Sequence, residues 1–190
     1  MLFRTEPLGV LAISQLTHAW IAGQILRAWD ETLGEPLPLA AEQHDIGWLD
    51  WETTPTFNPQ TGRPHLFREI GAAVHSPMWR RGVERALGAW GVHVALLISR
   101  HGGVIYRRYT DRHRASQGDA AAARRYLEAH APTEAAWAGM LGLDAAGRCH
   151  VWTPPADQGL FFGVALIGSA VMSSASFARR IGSAGPDVVR

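Results

Sequence analysis

The chain has 190 residues, 47% hydrophobic and 18% charged, with eight Trp and six Phe: enough apolar material for one folded core and too little length for two. Its 18 basic residues against 17 acidic ones leave a net charge of +1, so no strong overall field exists to gather nucleic acid or an acidic membrane. One cysteine, Cys149, excludes an internal disulfide and a Cys-pair zinc site, and the absence of any lysine excludes a Schiff base. The opening residues Met1 to Glu6 lack the basic start, apolar run and small-residue cleavage site of an export signal, which points to a cytoplasmic protein.

In chain order, residues 10–13 read either as a short strand or as the lead-in to a helix over 14–29, where Leu16, Ala19, Trp20, Gly23 and Leu26 recur at helical spacing behind Ser14 as N-cap. Gly34 and prolines 36 and 38 interrupt the chain, and a second helix is expected from about Leu39 to Ile46, stopped by Gly47. Residues 48–67, with prolines 55, 59 and 64 among Trp48, Trp51, Phe57 and Phe67, predict a long aromatic and proline-rich loop, packed or acting as a lid. Ser76-Pro77 marks a helix start, leaving His75 just outside a helix that Gly91 closes. Residues 92–101, apolar and partly β-branched, read as a strand or a buried helix, with a helix ending at Gly102 favoured, and two more helices are expected over 119–130 and 133–143, divided by Pro132. The fold class is mostly α: a single-domain helical bundle over 1–150, followed by a divergent segment over 151–190 with a poorly ordered end beyond Ile181. Within that segment the uncharged run 158–178 has roughly the length of a membrane span, but its glycines and serines favour a buried helix.

Nine histidines offer the chemistry. His18 lies on the first helix, and His44-Asp45 sits near the end of the second, so two neighbouring helices can bring them together. Imidazole nitrogens with a carboxylate suit a divalent transition metal, Fe, Mn, Ni or Zn. Any one of these histidines has a plainer reading, as a half-buried side chain bonded to a backbone carbonyl or, for His101, as a cation at a helix C-terminus. Arg63, Arg80, Arg81, Arg100, Arg107 and Arg108 are candidates to clamp a phosphate, or form a solvated face. Trp48, Trp51, Glu52 and Asn58 follow the doublet directly and are candidates to line a ligand site, with core packing as the alternative for the tryptophans.

A helical His followed by a helix ending in His44-Asp-Ile-Gly47 resembles the HD superfamily of metal-dependent phosphohydrolases. From about Ser14 to Tyr109 the chain also resembles a bacterial family known as domain of unknown function 3891. That resemblance is carried by Gln15-Leu-Thr-His-Ala19, Gln43-His-Asp-Ile-Gly-Trp-Leu-Asp-Trp-Glu52, Asn58-Pro-Gln-Thr-Gly-Arg-Pro64, Trp79-Arg-Arg-Gly-Val83 and Leu97-Ile-Ser-Arg-His-Gly102. The HD-like order of one His, a His-Asp doublet, two further His and a late Asp implies His18, His44, Asp45, His75 and His101 as metal ligands, with Asp45 also catalytic. It implies a phosphate ester or nucleotide as substrate, a small phosphorylated molecule touched by Arg63, Trp48 and Glu52, with no nucleic-acid or membrane partner. The family pattern places a Trp and then an Asp two residues on at the start of a final helix. Here the corresponding stretch is Val151-Trp-Thr-Pro-Pro-Ala-Asp157, so either Asp157 substitutes or the end of the chain derives from a shifted reading frame. Loss of that late Asp leaves a second reading open, a non-catalytic helical domain that binds a ligand or partner on an HD-like scaffold.

Overall fold

The structure, a computed structural model, describes residues 1–29, 33–110 and 116–143. The segment expected over 151–190, with its apolar run, its tail and Asp157, lies outside the described residues. The described part is mostly α. The chain opens with an antiparallel hairpin of β1 (Leu2–Glu6) and β2 (Gly9–Ile13), in register from Leu2 opposite Ile13 to Glu6 opposite Gly9. Residues 10–13 are therefore strand, the first of the two readings their sequence allowed.

Helix α1 (Gln15–Trp29) starts where the sequence places it, with Ser14 Oγ accepting from Thr17 N at 2.9 Å. Helix α2 (Pro36–Gln43) begins three residues earlier than expected, because Pro36 supplies the preset φ of a first helical position. It ends before Ile46, and a 3₁₀ turn (Ile46–Trp48) takes up the chain. The expected loop over 48–67 holds a short helix α3 (Leu49–Thr53), a minimal hairpin of β3 (Phe57–Asn58) and β4 (Arg63–Pro64), and a 3₁₀ turn (Phe67–Glu69).

Three long helices follow, α4 (Ala72–Trp90), α5 (Val92–Thr110) and α6 (Gln117–Met140). Two expected boundaries inside them are corrected, at Ser76-Pro77 and at Gly102, and the two helices expected on either side of Pro132 are one. Helix α4 begins upstream of Ser76-Pro77 because a distant side chain caps it: Asp119, on the first turn of α6, accepts from Ala73 N at 2.9 Å. Helix α5 passes through Gly102-Gly103, and α6 passes through Pro132. Gly91, at φ +84°, does close α4.

Every residue of α5 from Val94 to Ser99 is buried, which is why its sequence is apolar on all sides. Around it Trp79, Val83 and Ala86 of α4 and Ala122, Ala123 and Tyr126 of α6 close the main core. A smaller cluster of Trp48, Trp51, Ile70 and Met78 fills the space beneath the 3₁₀ turns. Among the described residues no helix is long and apolar enough to cross a membrane.

Candidate metal centre

Two close backbone approaches set the site. On α1, a Cβ at Gly23 would lie 2.9 Å from the carbonyl oxygen of Pro38, so only glycine lets α1 and α2 come this near. On the turn after α2, a Cβ at Gly47 would lie 2.5 Å from the carbonyl oxygen of Met78, and one at Gly82 would lie 2.9 Å from Gly47 N. The His-Asp turn is thereby pressed between α1 and α4. Gly47 was expected as a helix stop; its role here is this contact.

Gln15 and His18 lie three residues apart on α1 and so share one face. Opposite them Asp45 Oδ2 is the hub. It is 3.0 Å from His18 Nδ1, 3.3 Å from His44 Nε2, and accepts from Gln15 Nε2 at 3.4 Å. His44 Nδ1 lies 2.7 Å from the carbonyl oxygen of Ala41, so it carries a proton and donates it. Gln15, His44 and Asp45 are each at most 5% exposed, whereas the His18 side chain keeps 18% of its surface and is the most solvent-facing of the set.

Charge and burial oppose each other here. Burial works against the His44 imidazolium, but the adjoining Asp45 carboxylate outweighs it and raises the His44 pKa above its ordinary value. Burial likewise pushes the Asp45 carboxyl up, and the charge of His44 with the hydrogen bond from His18 outweighs it, holding Asp45 below the usual carboxylate range.

One ligand atom each from His18, His44 and Asp45 can be chosen so that all lie within 4.8 Å of one another. Ligands on a common ion with bonds of about 2.1 Å sit roughly 3.5 Å apart in a tetrahedral arrangement, so a contraction of about 1 Å, within side-chain reach, would bring the three onto an ion. The donor set also fits. With its Nδ1 proton committed to Ala41, a neutral His44 presents its Nε2 lone pair toward the cluster, and a carbonyl behind a ligating imidazole is the usual outer support of such a site. Two imidazoles and a carboxylate match Fe, Mn, Ni or Zn.

The other residues singled out by the sequence are placed as follows. His101 of α5 stands next to His44, ring centroids 4.8 Å apart in an edge-on contact, and its ring lies 5.6 Å from that of Trp79. His75 lies inside α4, not before it, and its Nδ1 is 2.6 Å from Tyr106 Oη. Its ring stacks on Tyr106 at 5.3 Å, and burial depresses its pKa to about 4. It is not one of the three grouped ligands. Trp48 is 4% exposed, edge-on to Trp51 at 5.6 Å, and belongs to the small core. Arg63 is exposed on β4. Arg80 pairs with Glu84 and Arg81 with Asp50 on the outer face of α4.

Glu52 reaches the cluster from α3. Its Oε1 accepts from Gln15 N at 2.7 Å and lies 3.6 Å from the Met1 α-amino group, while Oε2 is buried with no hydrogen-bond partner among the described residues. Gln15 itself was not among the residues singled out, although its spacing from His18 was visible. Nor were Tyr106 and Trp79, whose contacts depend on how α4 and α5 pack.

Comparison with known proteins gives one family. No curated protein and no solved structure matches the chain. A family model described as protein of unknown function (DUF3891) matches residues 1–152, four-fifths of the chain, and the chain belongs to that family.

Proposed function

We propose that this protein is a metal-dependent hydrolase acting on a phosphate ester or a nucleotide, built on an HD-like scaffold. The observation that carries this reading is the convergence of His18, His44 and Asp45, with the His101 ring beside them, from three separate helical elements. Buried charge is costly and is retained where it is used. His18, His44 and Asp45 would hold the ion, and His101 stands where it could complete the set. A divalent transition metal in this position supplies Lewis-acid charge and an activated water for attack on phosphorus. The chain's own part is to fix the donors: Ala41 sets the His44 tautomer, Gln15 holds Asp45, and burial keeps His44 and Asp45 from bulk water while His18 stays partly exposed.

The test is metal content and turnover together. Purified protein should carry a transition metal that a chelator removes, and should slowly hydrolyse members of a phosphomonoester and nucleotide panel. Asp45→Ala should remove both properties, whereas His65→Ala, just beyond β4, should remove neither. If protein expressed in metal-supplemented medium holds no metal and shows no turnover that Asp45→Ala abolishes, the non-catalytic ligand-binding reading replaces this one.

A further inference from the structure

Beside the three grouped ligands lie two oxygens that nothing among the described residues satisfies. Glu52 Oε2 and Gln15 Oε1 are buried and without a hydrogen-bond partner, on side chains that are only 6% and 4% exposed. Buried acceptors are paired in the great majority of cases, and two orphans on residues joined directly by a hydrogen bond, Gln15 N to Glu52 Oε1, call for a donor from outside their network. The network itself explains why they are open. Gln15 commits its backbone N–H to Glu52 Oε1 and its side-chain N–H to Asp45 Oδ2, which turns its carboxamide oxygen away. Reversing the amide would set that oxygen against the Asp45 carboxylate. The Met1 α-amino group lies on the Oε1 side of Glu52.

We propose that Glu52 Oε2 and Gln15 Oε1 receive a hydrogen-bond donor, a hydroxyl or a primary ammonium, on the ligand of this site, so that the substrate is a phosphate ester whose alcohol part carries such a group. This rests on the hydrolase reading above. A phosphate dianion has acceptors and no donors, so it cannot satisfy two acceptor oxygens; the group that does belongs to the rest of the molecule. The Glu52 charge makes an ammonium the stronger of the two donors, since hydrogen bonds to ionised groups are roughly twice as strong as neutral ones. It also sets discrimination, because a site built to pair with a donor rejects an analogue lacking it.

The experiment compares three phosphomonoesters of similar size on the full-length protein, metal-loaded and chelated, by calorimetry: 2-aminoethyl phosphate, glycerol phosphate and ethyl phosphate, which has no donor. The first two should bind at least about tenfold more tightly than the third, the order expected of a charge-assisted hydrogen bond. Glu52→Gln keeps the shape but removes the charge and puts an N–H donor among the acceptors. It should abolish the preference without lowering metal content, and Gln15→Met should reduce it. Equal binding of all three, binding of none, a preference that survives Glu52→Gln, or a complex in which only a trapped water occupies these oxygens would overturn the proposal. Failure of the hydrolase reading shows differently, as absence of metal and of Asp45-dependent turnover, while the donor preference is read from binding alone and can be measured on chelated protein.

Discussion

Gly102→Ala tests the packing that places His101. Gly102 lies mid-helix in α5, and a Cβ there would stand 2.7 Å from Trp79 Nε1, 2.8 Å from Tyr126 Oη and 3.0 Å from Trp79 Cδ1. Neither neighbour can simply turn aside. Trp79 and Tyr126 are 6% and 5% exposed, and each donates a hydrogen bond to the backbone of α5, Trp79 Nε1 to Ile98 O and Tyr126 Oη to Ser99 O, both at 3.3 Å. Overpacking of this kind costs about 1–3 kcal/mol. Losing either bond adds about 1 kcal/mol. Against this, alanine in a helix interior gains about 1 kcal/mol over glycine. The sum is a net loss of roughly 1–4 kcal/mol.

The assay is urea denaturation of the metal-free protein followed by metal titration. Trp79 touches both Gly102 and the His101 ring, so a shift of that indole also weakens any metal site to which His101 contributes. Gly88→Ala supplies the matched control: Gly88 is exposed on α4, and nothing lies within 4 Å of the position a Cβ would take. That variant should be more stable than the parent by about 0.5–1 kcal/mol. A Gly102→Ala protein as stable as the parent would refute the packing account.

Other substitutions test the remaining joints. Gly47→Ala drives a methyl against the Met78 carbonyl, a backbone atom that cannot rotate away, and should cost at least about 2 kcal/mol by urea denaturation while also displacing His44 and Asp45. Asp119→Ala removes the acceptor for Ala73 N and for the Ser116 hydroxyl, so the N-termini of both α4 and α6 should fray, with a loss of about 1–2 kcal/mol and faster amide exchange over residues 72–75.

The periodic segments were legible in the sequence because their signals are local. Residues 14–29 carry an amphipathic repeat behind a serine cap, whereas the apolar stretch of α5 allowed a strand as well as the buried helix it forms. The misplaced boundaries share one cause, a partner far away along the chain. Ser76-Pro77 looks like a helix start only if nothing caps the turn before it, and the cap comes from Asp119, 46 residues away from the amide it binds. Gly47 and Gly102 look like helix stops because glycine commonly is one. In both, the missing side chain instead admits another element. The His18 and His44-Asp45 grouping was readable from residue type and helix order, but Glu52 Oε2 and Gln15 Oε1 are conspicuous only once burial and hydrogen bonds are known.

Two of the buried imidazoles, His75 and His44, should leave opposite marks on the pH dependence of stability in the metal-free protein. His75 has a folded pKa near 4 against an unfolded value near 6.5, because burial disfavours its charged form. Its neutral state therefore contributes stability that is fully present above pH 6.5 and is lost as the pH falls toward 4, by about 3 kcal/mol in all. His44 has a raised pKa, so its contribution is fully present below pH 6.5 and is lost as the pH rises through the folded value. Asp45, with a depressed pKa, contributes above pH 3.8 and loses that contribution only in stronger acid. Stability should thus peak near pH 6.5 and decline on both sides. His75→Phe should flatten the limb between pH 6.5 and 4 and leave the alkaline limb intact. Asp45→Asn should do the reverse to His44: with its carboxylate partner gone, burial, the largest single effect, is opposed only by the Ala41 hydrogen bond, so the imidazole pKa falls, the alkaline limb disappears and the acid limb steepens. Urea denaturation of the three proteins from pH 4 to 8.5 decides the matter, and a His75→Phe protein that keeps the whole acid slope would show that the titration of His75 is not its source.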